Sequence, residues 1–360
     1  MIRPTNSGVQ HDLTMFDVGQ GDCVLLRDHM HHALVIDCGA QSPARYSHVP
    51  HHIELLSSWK NQCGLVISHY HSDHYSLYRG FSSPPEFLSN IYLPDLPVSQ
   101  PSGAALFEFL YAAVLVNYGH YRILPELFRD SGRNVLFRKK GDKIKEANLE
   151  FDVVWPDFRL ITRRRQLIAA AGRIRNALDP ILEKHELPLP EQLPEQSMGQ
   201  FLYAIDEIRR REWPPREVEQ MRGTLGRIER DFILLADHFS LVFKTVEPSR
   251  TGLLFLGDLT DSLLNRINVG SPGASYSCIK ASHHGTRFGS ALAGTVTDFL
   301  LVSRNSKESP RLKKIHHGYL EDMECKMILT TEFMHTCHIG RSGGLFGELF
   351  SWGVFSPLLV

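Results

Sequence analysis

The sequence predicts an α/β fold interrupted by a helical insertion. Short apolar runs punctuated by glycine fill the first third of the chain, the same texture returns in the last third, and between them lies a stretch of helical period without strand runs. The 360 residues, 42% hydrophobic and 22% charged, suffice for a substantial core and exclude a disordered or fibrous chain.

Taken in order, Leu13 to Phe16, Cys23 to Arg27 and Ala33 to Ile36 read as consecutive strands, separated by turns at Gly19, Gly21 and Gly39. Leu65 to Ser68 is a short buried strand that empties into a histidine-rich loop. Ser102 to Asn117 has helical length and an apolar face. Val135 to Arg138 and Leu149 to Trp155, split at Gly141-Asp142, restore strand character up to Pro156. From Phe158 to Asp231 Arg, Glu, Gln and Leu dominate, broken by the proline-rich Leu187 to Pro194 and by Pro214-Pro215. Strands resume at Phe239 to Thr245, Gly252 to Leu256, Ser277 to Lys280 and Phe299 to Val302. Residues 1–157 and 232–360 therefore read as one domain and 158–231 as the insertion.

Lys and Arg number 39 against 40 Asp and Glu, a formal net charge of −1, so a polyanionic partner needs local charge or metal to hold it. Arg159, Arg163, Arg164, Arg165, Arg173 and Arg175 follow one another with no acid between, either as a solvated helix face or as a phosphate-contacting surface. The six cysteines include no C-x-x-C pair, which favours reduced, packed thiols. The apolar run Ala104 to Val116 contains Glu108 and falls short of the ~18 residues that span a bilayer. With the polar opening Met1 to Asp12, these features predict a cytoplasmic protein without a membrane partner.

Chemistry concentrates at three strand-to-loop junctions. His69-Tyr70-His71-Ser72-Asp73-His74 places four metal-capable side chains within six residues, enough to face two adjacent cations, and imidazole with carboxylate suits zinc or manganese. Leu253 to Leu256 ends in Gly257-Asp258, which delivers a carboxylate to a sheet edge. Cys278 to Ala281 discharges Ser282-His283-His284-Gly285 into another loop. Ligands from such distant segments converge only if their strands share an edge.

These residues resemble the metallo-beta-lactamase superfamily, and more narrowly the hydrolase domain of the ComEC competence proteins and its stand-alone relatives. The narrower likeness rests on Asp17-Val18-Gly19-Gln20-Gly21-Asp22, Ile36-Asp37-Cys38-Gly39 and Lys280-Ala281-Ser282-His283-His284-Gly285, and covers about residues 12–157 and 237–305. It implies a four-layer αββα sandwich with the site at one sheet edge and two divalent ions, Zn or Mn. It implies that His69 and His71 hold one ion, that Asp73, His74 and His283 hold the other, that Asp258 bridges them, and that Asp37 orients the histidines from below. One further ligand for the first ion belongs just before Ser240, where the chain offers Asp237 and His238; His238 is the expected one. The likeness departs at Tyr75-Ser76-Leu77-Tyr78, where relatives carry Gly-Gly and bulk would reshape the pocket rim. It departs again at Asn305 to Pro310, where they carry Tyr-Gly-His-Pro.

The expected activity is metal-dependent hydrolysis of a phosphodiester by a nuclease acting on DNA, with a bridging water made nucleophilic by both ions. Asp73 would accept or orient its proton, His284 would serve the leaving oxygen, and Lys280 and Arg287 would counter charge. Gly19-Gln20-Gly21 either approaches substrate or closes a tight strand connection. Two other readings stand beside this one: hydrolysis of a small ester, lactone or cyclic nucleotide, and a catalytically vestigial module that recruits a protein partner through the insertion.

Overall fold

The computed structural model describes residues 11–28, 30–57, 63–82, 87–130, 135–161, 164–185, 213–246, 252–269, 273–304, 314–331 and 336–339. Leu187 to Pro194, Arg163 and Asn305 to Pro310 lie outside the described residues.

In chain order the strands are β1 (His11–Phe16), β2 (Cys23–Asp28), β3 (Ala33–Cys38), β4 (Cys63–Val66), β5 (Leu88–Pro94), β6 (Val135–Arg138) and β7 (Lys143–Glu146). They continue with β8 (Leu149–Trp155), β9 (Val242–Thr245), β10 (Leu253–Phe255), β11 (Ser275–Lys280), β12 (Val296–Val302), β13 (Glu324–Thr330) and β14 (Thr336–Ile339). The helices used below are α1 (Val49–Ser57), α2 (Pro101–Leu115), α3 (Leu124–Asp130), α4 (Phe158–Ile161), α5 (Arg165–Lys184), α6 (Pro215–His238), α7 (Asp261–Leu264) and α8 (Gly318–Glu321).

The strands form two seven-stranded sheets, ordered β14-β1-β2-β3-β4-β5-β6 and β13-β12-β11-β10-β9-β8-β7. Both sheets are mixed. In the first, β3 to β6 run parallel and β14 to β3 antiparallel; in the second, β10 to β13 run parallel and β7 to β10 antiparallel. Period-two alternation decides what each face meets. Leu13, Met15, Val24, Leu26, Leu34 and Ile36 from one sheet pack with Phe151, Phe243, Phe255 and Leu301 from the other, in a cluster without helical members. The intervening Phe16, Leu25 and Val35, with Leu254, Ile279 and Leu300, join helical residues such as Ile53, Phe109 and Leu263 in the larger cluster. The protein is thus a mixed α/β sandwich.

α2 is buried from Ser102 to Leu115, which its all-round apolar surface requires. α5 and α6 cover its free side: Phe109 stacks on Phe232 at 4.0 Å, and Arg175 Nε lies 3.2 Å from the buried Glu108 Oε1. Arg175 therefore faces inward and belongs to no solvated arginine surface. The helical segment also runs beyond the expected boundary at 231, because α6 continues unbroken to His238. No helix among the described residues is long and apolar enough to cross a membrane.

Candidate metal centre

β3 and β4 are parallel neighbours in one sheet, β10 and β11 in the other, and the loops leaving all four meet at one edge of the sandwich. β4 stops at Val66, so Ser68 already belongs to the connection, and its carbonyl accepts the Leu241 amide at 2.7 Å to tie the two sheets together. The histidine-rich loop then closes one 3₁₀ turn over Ser72–His74. Asp258 follows Gly257, whose φ of 50° makes the turn out of β10. His283 and His284 are both left-handed, with φ of 47° and 56°, an arrangement that non-glycine residues adopt only where surroundings enforce it.

Two glycines from separate motifs clamp this loop. A Cβ on Gly39 would stand 2.4 Å from the Asp73 carbonyl oxygen, and one on Gly21 would stand 2.9 Å from the same atom. The Asp22 amide donates to that oxygen at 3.2 Å. Gly21 thus serves a tight backbone packing rather than an approach to substrate. Asp22 also pairs, buried, with Lys280 Nζ at 2.8 Å. That contact corrects the expectation that Lys280 would counter charge on a substrate, since its ammonium is turned into the fold. Tyr75 and Tyr78 are buried too, so they shape no pocket rim. Ser76 instead donates from Oγ to the Ala40 carbonyl at 2.7 Å.

The acids and imidazoles fall into two principal groups. His69, His71 and Asp237 form one, with His71 Nδ1 3.4 Å from Asp237 Oδ1; Asp73, His74 and His284 form the other, with His284 Nε2 3.6 Å from Asp73 Oδ2. Asp258 stands between them. Its Oδ2 is 3.9 Å from His69 Nε2 and 3.6 Å from His74 Nε2. On the open side His283 Nδ1 lies 2.9 Å from Asp258 Oδ2, and these two form a further trio with Asp237. Beneath them Asp37 lies 2.9 Å from His74 Nδ1 through Oδ2 and accepts hydrogen bonds from the Ser68 amide and hydroxyl at 2.6 and 2.8 Å. A proton on Nδ1 that faces Asp37 leaves Nε2 of His74 free to accept.

Buried atoms without partners mark what the groups could hold. Nε2 of His69, His71 and His74 and the Oδ1 atoms of Asp237 and Asp258 are buried with no hydrogen-bond partner. Imidazole nitrogens and carboxylate oxygens left unpaired together are the donor set of a zinc or manganese site, so these residues fit the expected pair of divalent ions. The metal-free electrostatics agree. Burial drives His69 well below the ordinary histidine value and His71 down to about 4. Burial also pushes the Asp237 carboxyl up to about 7. For Asp258 burial acts upward, but His283, His74 and His69 outweigh it and hold the carboxyl well below the usual range. Burial opposes the charge on His74 and His283 as well, yet Asp37, Asp258 and Asp73 raise the first far above the ordinary value, and Asp258 raises the second to about 9. These opposed shifts follow from burying several acids and imidazoles against one another.

The grouping of side chains departs from the sequence expectations at two places. His238 turns away from the cluster: its Nδ1 lies 2.6 Å from the Leu234 carbonyl, and Thr260 Oγ1 lies 3.3 Å from its Nε2. Asp237, one residue earlier on α6, takes the place expected of it. His284, rather than His283, joins Asp73 and His74, its ring fixed by Nδ1 at 3.0 Å from the Ser303 carbonyl, while His283 groups with Asp237 and Asp258. His283 stays at the opening, 26% exposed.

A cleft of about 480 Å³ opens beside Asp237, lined by Arg173, Arg230, Asp231, Ile233 and Arg287 as well. Of the arginine stretch, Arg173 reaches it, while Arg164 bonds to the Ser262 carbonyl at 2.8 Å. No protein-family model and no curated protein matches this chain.

Proposed function

We propose that the protein is a metal-dependent phosphodiesterase, a nuclease acting on DNA, built on a metallo-beta-lactamase-type αββα sandwich. One observation carries the reading: two groups of imidazoles and carboxylates flank Asp258 at a sheet edge, and Nε2 of His69, His71 and His74 with Oδ1 of Asp237 and Asp258 are buried without a hydrogen-bond partner. The likeness of the three motifs to the ComEC-type hydrolase domain supports both the fold and the substrate class, and the arginine-rimmed cleft supports a polyanion.

His69, His71 and Asp237 would hold one divalent ion and Asp73, His74 and His284 the other, with Asp258 between. Such a pair supplies Lewis acidity, a water of lowered pKa and a clamp on the entering and leaving oxygens of an in-line displacement. Asp37 keeps the His74 proton on Nδ1, and the Ser303 carbonyl does the same for His284, so both rings present Nε2. Asp73 offers its second oxygen to accept the proton of the attacking water. His283, the most open imidazole of the group, would take the role expected of His284 and donate a proton to the leaving oxygen.

The test is incubation of the Zn- or Mn-loaded chain with labelled single- and double-stranded DNA, RNA and a generic phosphodiester, beside Asp73→Ala. Cleavage by the parent and its loss in the variant is the expected result. Equal cleavage by both, or none by the loaded parent, overturns the reading.

A further inference from the structure

The cleft beside Asp237 belongs largely to the helical segment and not to the motifs that carry the resemblance. Along α6, Arg230, Ile233 and Asp237 stand at i, i+3 and i+7, so one face presents a guanidinium, an apolar side chain and a carboxylate of the metal group. The helical rise puts Arg230 roughly 10 Å from Asp237 along the axis. The positive groups around the cleft are not equivalent. Arg173 is held by Asp231 through Nε at 2.9 Å and Nη2 at 2.6 Å, which leaves that pair nearly neutral. Arg230 is exposed and has no ion-pair partner among the described residues, while Arg287 lies 4.0 Å from Asp261 and also acts on the Asp237 carboxyl across the cleft. Arg230 and Arg287 therefore face one cleft in which Asp231 is already taken by Arg173 and Asp237 belongs to the acid–imidazole cluster, on a chain whose net charge is −1. Ile233, 41% exposed, gives an apolar surface between Arg230 and the centre.

We propose that Arg230 and Arg287 form a phosphate subsite for single-stranded DNA, holding the strand at a phosphate neighbouring the one under attack while Ile233 meets a sugar or base. The subsite rests on the phosphodiesterase reading. Its volume is that of a small-ligand cleft, which suits a short stretch of one strand. Guanidinium forks bind phosphate oxygens in pairs, and apolar contact beside them adds affinity without reading sequence.

The test is equilibrium binding of the Zn-loaded full chain to a fluorescent oligothymidylate with phosphorothioate linkages, measured across a salt series. Loss of one phosphate contact on a single strand lowers the salt slope by about 0.7. Arg230→Gln and Arg287→Gln are each expected to show that loss and to weaken binding roughly tenfold, the scale of one charge-assisted contact. Arg230→Lys, which keeps the charge, should restore the slope. Arg165→Gln, an exposed arginine of the same helical segment off the cleft, should leave it intact. Unchanged slopes in both cleft variants, an equal loss in Arg165→Gln, or tighter binding to duplex than to single strand overturns the subsite. Cleavage of an unmodified strand is scored separately: no cleavage with the expected slopes sinks the phosphodiesterase reading and leaves the strand-binding site, whereas cleavage with flat slopes sinks the subsite alone.

Discussion

Gly39 and Asp73 touch through their backbones so closely that a Cβ on the glycine would lie 2.3 Å from the Asp73 carbonyl carbon and 2.4 Å from its oxygen. The loop of metal-capable residues is pressed against the end of β3 at that point. Gly39→Ala must displace backbone, not a flexible side chain. We expect a destabilisation of about 1–3 kcal/mol or more, with reduced ion content, read by thermal unfolding and elemental assay. An unaltered midpoint and full ion content would contradict this packing.

The neighbours Asp237 and His238 make opposite predictions. Asp237→Asn removes a carboxylate from the His69–His71 group and should cost one bound ion, with affinity lower by at least the ~10–100-fold that follows loss of an outer contact. His238→Gln touches only the Leu234 and Thr260 contacts, so it should keep two ions and lose some stability. Zinc titration of both variants decides; the reverse pattern would restore His238 as the ligand.

Lys280 and Asp22 form a buried pair 258 positions apart in sequence. Lys280→Met leaves the Asp22 charge buried without its cation and is expected to cost about 3–5 kcal/mol in denaturant unfolding. Asp22→Asn with Lys280→Met should recover much of that loss, and failure to do so would show that the pair is not the cause.

Asp28 supplies an acid-range signature far from the centre. Its buried carboxylate accepts the Met30 and His32 amides at 2.8 and 2.9 Å and lies 2.9 Å from His32 Nδ1. Burial pushes its pKa up, but the contacts with His32 and Asn148 win and lower it. A depressed folded value means that the stabilisation is fully present above the unfolded value of about 3.9 and is lost as pH falls through the folded one. Asp28→Asn should therefore be less stable than the parent by about 1–2 kcal/mol at neutral pH. The gap should close in acid; a gap independent of pH would exclude this titration.

Much of the centre was legible in the order of residues, because each motif couples an apolar strand to an abrupt run of ligand types. Asp37, the histidine-rich loop, Asp258 and the pair His283-His284 all meet where their strands end. Adjacent choices were not legible. Asp237 and His238 lie about 100° apart around a helix, and only the continuation of α6 to His238 decides which faces inward. His283 and His284 are themselves both left-handed, a local conformation that no propensity announces. In the fold, β7 and β13 escape notice for another reason: Lys143–Glu146 has one buried apolar residue, and Glu324–Thr330 buries only its last two residues, so both edge strands lack the buried alternation that marks their neighbours. The Asp22–Lys280 pair has no local trace at all.

α6 carries Asp237 of the acid–imidazole cluster at its last turn and the guanidinium of Arg230 two turns earlier on the same rigid rod. Anyone grafting a foreign loop in place of the helical segment would discard Asp237 along with Arg230. Under the proposed function, ion binding and strand preference would be inherited together, and drift in one would drag the other.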